Sequence, residues 1–360
     1  MRFVLIICLA VAALLRVPQA QTSLSVPAYD LVVTNGRVVD GTGNPWFRAD
    51  VGVKDGRIAR IGRIAATEAR TVVDAGGRIV APGFIDVHTH VENIYNLPAA
   101  ENFVRMGVTS VVTGNCGSSA TDIGAFLGRV GEQPLAVNLA TLIAHGDVRR
   151  KVLGLEARAP TPAELQQMES VVEQGMRDGA VGLSTGLIYV PGTFARTDEV
   201  TALARVAARH GGVYATHMRN EGEHVLEAIR ESIEIGERAG LPVEISHFKI
   251  SNKKLWGQTA ATIGLVREAR GRGVQVTVDQ YAYTASSTSL DSRLPSWLLE
   301  GGREAGKTRL ADKATRARVV NDMKDSLKRS GFKDFSYAVV AGYAPNPAFN
   351  GKSIAASTKE

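Results

Sequence analysis

The chain has 360 residues, 44% hydrophobic and 22% charged, with 37 glycines to supply turns. That composition argues against disorder and suits one large α/β domain with a small appendage. The formal charge of +6 is spread thinly. Arg149-Arg150-Lys151 and Lys253-Lys254 are short runs without interleaved aromatics, so they read as solvated surface and nucleic-acid binding has no support.

The first segment, "MRFVLIICLAVAALLRVPQAQT", has a basic residue, an apolar stretch from Phe3 to Leu15, then Pro18-Gln19-Ala20. It reads as a secretory signal over residues 1–20, cleaved after Ala20. The apolar run is short for a membrane span, which needs roughly 20 residues. The expected location is periplasmic or secreted, with no membrane attachment after cleavage. Cys8 goes with the leader, which leaves Cys116 alone. An exported chain without a disulfide framework must draw its stability from a core or a metal.

Residues 29–81 alternate in short apolar strands with Asn-Gly and Asp-Gly signals, as in "YDLVVTNGRVVDG" and "ADVGVKDGRIARIG". This reads as a small β-domain of hairpins. From residue 82 onward the rhythm changes. "RIVAPGFIDVHTH" reads as a strand ending in polar residues, and "LPAAENFVRMG" as helix-like. "VTSVVTGNC", "LAVNLATLIAHG", "AVGLSTGLIYV", "GVYATHMRN", "PVEISHFKI" and "VQVTVDQYAY" follow as strands. Amphipathic helices such as "TPAELQQMESVVEQGMRDG" and "HVLEAIRESIEIGERAG" separate several of them. Strands alternating with helices imply parallel β/α units. About seven such strands precede Thr284, and a closed barrel needs eight.

Barrel enzymes carry their chemistry at the C-terminal strand ends. His88 and His90 close the first strand; their i, i+2 spacing turns both imidazoles to one site and Thr89 away. Cys116 ends the second strand, His217 the fifth, His247 the sixth and Asp279 the seventh. One such histidine would ordinarily be a satisfied core residue. Four at strand ends, with a thiol, point instead to zinc. The rival role for Cys116, a nucleophile activated by a histidine, leaves the other imidazoles without purpose. His210 and His224 fall on helices and read as packing residues. His145, after strand three, stays open between a supporting and a substrate-contacting role.

These segments resemble the amidohydrolase superfamily, in particular its N-acyl-D-amino-acid deacylase (D-aminoacylase) branch. The carriers are "APGFIDVHTH", "VTGNCG", "GLSTGLIYVPGTFA", "GGVYATHMRNEGEHV", "EISHFK" and "DQYAYTASST". The resemblance implies a (β/α)8-type TIM barrel with a small N-terminal β-sandwich domain. It implies that Cys116, His217 and His247 hold a tight zinc, and that His88 and His90 serve a second, weaker position. Many superfamily members bridge the two metals with a carboxylated lysine after strand four. Here that strand ends in "STGLIY" without a lysine, so the cysteine takes the role. Tyr189, Lys249, Tyr281 and Ser287 match positions that contact substrate. The implied reaction is hydrolysis of the linear amide of an N-acyl-D-amino acid to a carboxylate and a free D-amino acid. Zinc would activate the amide and water, and a carboxylate would carry the proton to the leaving amine.

One part of the pattern is missing. The proton-carrying Asp expected at the end of strand eight is not found. Asp291, Asp312, Asp322, Asp325 and Asp334 do not follow an apolar strand, and strand-like "FSYAVVAGY" ends at Tyr343 without an acid. The expectation is therefore the front part of a longer protein, its barrel and β-domain both incomplete. The alternatives are a cyclic amidohydrolase of the dihydroorotase or hydantoinase type and a zinc-binding fragment without turnover.

Overall fold

The computed structural model describes residues 27–357; the expected leader lies outside them. The chain divides into two compact units, one ending at Pro82 and one beginning at Gly83.

In the first unit, β1 (Tyr29–Val38), β2 (Phe47–Lys54), β3 (Arg57–Gly62), β4 (Ala69–Asp74) and β5 (Ile79–Val80) form one sheet around β1. Its core includes Val32, Val38, Val51 and Ile64. The hairpin reading holds for β2–β3, where Asp55 and Gly56 both have positive φ, as a tight primed turn requires. It fails at Asn35-Gly36. That pair lies inside β1 as a bulge, with Asn35 at φ 57°. Asn35 is held there by Asp50, which accepts from its backbone N–H, and by Asp74, which accepts from its amide. Gly36 is needed because a Cβ would sit 2.7 Å from Val80 Cγ2. Strands β4 and β5 run parallel to β1, not as hairpin partners. Among the described residues the unit is a single sheet; the second layer of the expected β-sandwich is not among them.

The second unit holds β6 (Phe84–Asp86), β7 (Val108–Thr113), β8 (Asn138–Thr141), β9 (Ile143–Ala144), β10 (Gly182–Gly186), β11 (Val213–His217), β12 (Val243–Ile245) and β13 (Val276–Val278). Each strand pairs in parallel with its neighbours in chain order, β6-β7-β8 in one sheet and β9 through β13 in another. Its helices are α1 (Glu101–Val104), α2 (Ile123–Gly131), α3 (His145–Leu153), α4 (Pro162–Arg177), α5 (Thr197–Arg209), α6 (Val225–Ala239) and α7 (Thr259–Gly271), then α8 (Arg303–Ala311) and α9 (Lys313–Ser330). This succession is the winding of a (β/α) barrel. Side chains cap the starts of α2, α4 and α9. At α4, Thr161 accepts from the Glu164 N–H while the Glu164 carboxylate takes the Thr161 N–H, with Pro162 in the first turn. Helix α6 ends at Gly240 in the left-handed conformation. Leu183, Tyr214, Val243, Ile245 and Val276 from the strands pack with Met168, Val172, Leu203, Ile229 and Val266 from the helices in one buried core.

Several local expectations need correction. "RIVAPGFIDVHTH" is two strands in two units, because Pro82 cannot donate to a ladder. "LAVNLATLIAHG" is broken at Leu142, whose N–H turns to Thr113 O while β8 and β9 join different sheets. "LPAAENFVRMG" supplies only the four-residue α1. "FSYAVVAGY" is a 3-10 turn and an isolated bridge between Val339 and Ser353. No helix among the described residues is long and apolar enough to cross a membrane.

Candidate metal centre

The site lies where the barrel strands end. Only His217 stands on its strand; Cys116 lies three residues beyond β7, His88 and His247 two beyond β6 and β12, and Asp279 one beyond β13. The sequence reading placed them at the strand ends themselves. The loops matter because they allow backbone conformations that a strand does not. Cys116 has φ 54° and His247 φ 37°, both left-handed and costly for residues with a side chain.

The Cys116 turn is held from several sides. Gly114 and Gly117 flank it with positive φ, and a Cβ on either would meet backbone, Leu142 O at 2.3 Å or Gly186 N at 2.5 Å. Ser184 Oγ donates to Gly114 O and accepts from the Gly117 N–H. Asp279 performs the matching task on the other side. Its Oδ1 accepts from the His247 N–H at 2.6 Å and its Oδ2 from His88 Nδ1 at 2.9 Å.

The side chains converge on one sulfur. Cys116 Sγ lies 3.3 Å from His88 Nε2, 3.7 Å from His217 Nδ1 and 3.7 Å from His247 Nε2. Two triads share it: His88, His90 and Cys116, and Cys116, His217 and His247, each with donor atoms within 4.8 Å of one another. His90 is the exposed member of the first triad. Two imidazoles and a thiol form a donor set suited to zinc, and a sulfur common to both triads can bridge two ions. His217 Nε2 is buried with no hydrogen-bond partner among the described residues, and its opposite nitrogen, Nδ1, is the one aimed at the cluster.

The electrostatics favour the ligating form at Cys116 and at His217. Burial works against a charged thiol at Cys116, but hydrogen bonds from His217, His247, His88 and His90 outweigh it and bring the pKa down to about 2. The sulfur is thus a thiolate, the form that ligates. Burial lowers His217. At His88 burial is overcome by Asp279 and Cys116, and the pKa rises to about 10.

Of the four residues matched to substrate contacts, Tyr189 and Lys249 reach the cluster, Tyr281 stands beside Lys249, and Ser287 lines the adjoining cavity. Tyr189 packs edge-on against His217, its hydroxyl 3.5 Å from Nδ1 and 2.9 Å from Thr288 Oγ1. Lys249 Nζ is 3.1 Å from His247 Nδ1 and 5.8 Å from the centre of the Tyr281 ring. Ser287 lines a cavity of about 330 Å³ that also borders His90, Cys116, Arg150 and Tyr189.

Glu221 escaped the sequence reading. It stands four residues after His217, inside the very segment "YATHMRNEGEHV", and its proximity to that ligand was the available signal. Its Oε1 lies 2.7 Å from His247 Nδ1 and 2.5 Å from Lys249 Nζ. His145, left open above, is buried and bonds Glu199 at 2.9 Å, so it belongs to the core network and not to the cluster. His210 pairs with Glu173 at the end of α5, and His224 precedes α6 without a side-chain capping bond. Four of the five late aspartates serve other partners: Asp291 binds Arg303, Asp312 caps α9, Asp322 accepts from Trp297, and Asp334 accepts from the Ser336 N–H.

Residues 71–279 match the family model described as the amidohydrolase family, which covers more than half of the chain. The chain belongs to the amidohydrolase family. Residues 14–82 also match the model for the N-terminal domain of the urease alpha-subunit. This amidohydrolase is 40% identical over 284 residues to an N-acyl-D-glutamate deacylase of Alcaligenes xylosoxydans xylosoxydans, covering 72% of this chain and 58% of the relative. Among solved structures it resembles the N-acyl-D-glutamate deacylase of Bordetella bronchiseptica, complexed with zinc and a phosphonate mimic of the tetrahedral intermediate. The TM-score is 0.68 at 38% identity, over 71% of this chain and 59% of that one. It also resembles a D-aminoacylase with a binuclear metal centre, TM-score 0.75 at 31% identity, over 92% and 68% of the two chains. The chain thus spans 58% of the length of the curated deacylase it matches.

Proposed function

We propose that this chain carries the zinc site and much of the substrate wall of an N-acyl-D-amino-acid deacylase. The observation that carries the reading is the sharing of one thiolate, Cys116, by two imidazole pairs. The likeness to N-acyl-D-glutamate deacylase and to D-aminoacylase supports it, in a site without a bridging lysine at the end of β10.

When bound, zinc supplies Lewis-acid activation of a carbonyl and acidifies water. Cys116, His217 and His247 would hold it; His88 and His90 would hold a second, weaker ion with the same sulfur. The protein's own groups provide the rest. The Tyr189 hydroxyl stands beside His217 and can orient a substrate oxygen by hydrogen bonding. Lys249, over Tyr281, offers an ammonium to the substrate carboxylate, with Glu221 fixing its position. The cavity bordered by Ser287 and Tyr189 takes the remainder of a small substrate. The leader-like first 20 residues support export to the periplasm or beyond.

The test is an assay of the zinc-loaded protein on N-acetyl-D-glutamate and N-acetyl-D-methionine, their L forms, and a dihydroorotate and hydantoin panel. Release of D-amino acid from the D forms alone is expected. Ring opening without deacylation would replace the proposal with a cyclic amidohydrolase. A second reading, zinc binding without turnover, draws on one observation: both carboxylates at the cluster, Asp279 and Glu221, are already committed to imidazoles. Bound zinc with no hydrolysis of any compound would establish it.

A further inference from the structure

Glu221 sits in the loop after β11 with its side chain 11% exposed. The loop is set before any ligand arrives. Asn220 Oδ1 accepts from the N–H groups of Gly222 and His224, and Glu221 O accepts from the Ser251 N–H at 2.7 Å. This backbone tie joins the loop after β11 to the segment following β12, which carries His247 and Lys249. The carboxylate then faces both ligand-bearing loops. Its Oε1 is 2.7 Å from His247 Nδ1, 2.5 Å from Lys249 Nζ and 3.9 Å from His217 Nε2. That last nitrogen is buried and otherwise without a partner among the described residues.

A ligating imidazole has two nitrogens, and the partner of one decides what the other can do. His247 presents Nε2 to the Cys116 sulfur. With a metal on Nε2 the ring proton would sit on Nδ1, and Glu221 Oε1 is the acceptor in place to hold it, while Lys249 Nζ lies 3.1 Å from the same nitrogen. The same oxygen holds the Lys249 ammonium. We propose that Glu221 is the positioning residue of the Cys116–His217–His247 site, fixing the His247 tautomer for metal and tethering Lys249 beside it. One carboxylate thereby serves metal affinity and the placement of the cationic group together. Asp279 stands in the same relation to His88, at 2.9 Å. Each half of the cluster has its own supporting carboxylate.

The Lys249 part rests on the deacylase reading; the metal part does not, and the experiment separates them. Zinc affinity of the full chain is measured without substrate, by competition with a chromophoric chelator, for the wild type, E221A, E221Q and K249M. Far-UV circular dichroism follows folding in each. Loss of a supporting partner of this kind typically lowers metal affinity about 10- to 100-fold. E221A is expected in that range. E221Q keeps an oxygen that can accept from Nδ1 but loses the charge, so its loss should be smaller, roughly tenfold. K249M should stay within about twofold of wild type, because an Nδ1 that carries the proton cannot accept from the ammonium 3.1 Å away, so the lysine does not select the tautomer. Wild-type affinity in either folded Glu221 variant would overturn the assignment. So would an equal loss in K249M, which would make the Glu221–Lys249 pair merely structural. Should E221A not fold, E221Q decides alone. If the affinities follow the expected order while no N-acyl amino acid is hydrolysed, the deacylase reading fails and the positioning role stands.

Discussion

At the scale of single residues, the chemistry depends on where each polar group finds its partner. Cys116 becomes a thiolate because imidazole donors outweigh its burial. His145 looks like a ligand in sequence, at a strand end, but Glu199 and Arg149 claim it for the core. Glu199 accepts from His145 Nε2 and from Arg149, and Arg149 also donates to the carbonyls of Glu156 and Arg158. Burial alone would raise the Glu199 pKa; His145 and Arg149 overcome it and hold the carboxyl below its ordinary value. A depressed carboxylate stabilises the fold above the unfolded pKa, and that contribution is lost as pH falls through the folded value. E199Q leaves Arg149 buried without its counter-charge, so it should lose about 3 to 5 kcal/mol at pH 7. The gap between variant and wild type should narrow as the pH drops below 4.5. Urea midpoints at pH 7 and pH 4 check this, and equal midpoints at pH 7 would refute it.

At the scale of elements, the Cys116 turn is fixed by close backbone contact as much as by its own hydrogen bonds. A Cβ on Gly186, the last residue of β10, would lie 2.0 Å from Cys116 O. G186A must therefore move the ligand turn or the strand. It should destabilise by about 1 to 3 kcal/mol, as overpacking does, and lower zinc retention with it. The control is Gly128 in α2, where a Cβ would meet nothing within 4 Å. G128A should instead stabilise by about 0.5 to 1 kcal/mol through helix propensity. Comparing thermal midpoints and metal content of the two variants tests the assignment. If G186A binds zinc as the wild type does, close contact is not what sets the turn.

At the scale of the whole molecule, the metal cluster joins strand ends that belong to two separate sheets, β6 and β7 in one and β11 and β12 in the other. The donor side chains come from the loops after β6, β7 and β12 and from the last residue of β11. An ion bound there stabilises the folded state in proportion to the logarithm of its concentration over Kd, about 2.7 kcal/mol at a hundredfold excess. Removing zinc with a chelator should lower the thermal midpoint by roughly 5 to 10 °C for a unit of this size, and added zinc should restore it. An unchanged midpoint, with metal absent from the untreated protein, would show that the cluster holds no ion.

Much of this was legible in the sequence. The alternation of strands and amphipathic helices is a local periodicity, written within ten or twenty residues, so the barrel winding could be read directly. The positions of His88, Cys116, His217 and His247 followed from it, because a parallel barrel sends every strand end to the same face. The supporting partners were not legible. Asp279 meets His88 across 191 residues of chain, and Glu221 reaches His247 only because the loops after β11 and β12 are tied together. The same holds for Asn35-Gly36, which spells a turn but folds as a bulge once Asp50 and Asp74 close on it. Sequence by itself determined the winding, which follows from local pattern, and with it the convergence of His88, Cys116, His217 and His247 on one face. Tertiary structure decided which carboxylate serves which imidazole, since that depends on distances between segments remote in the chain.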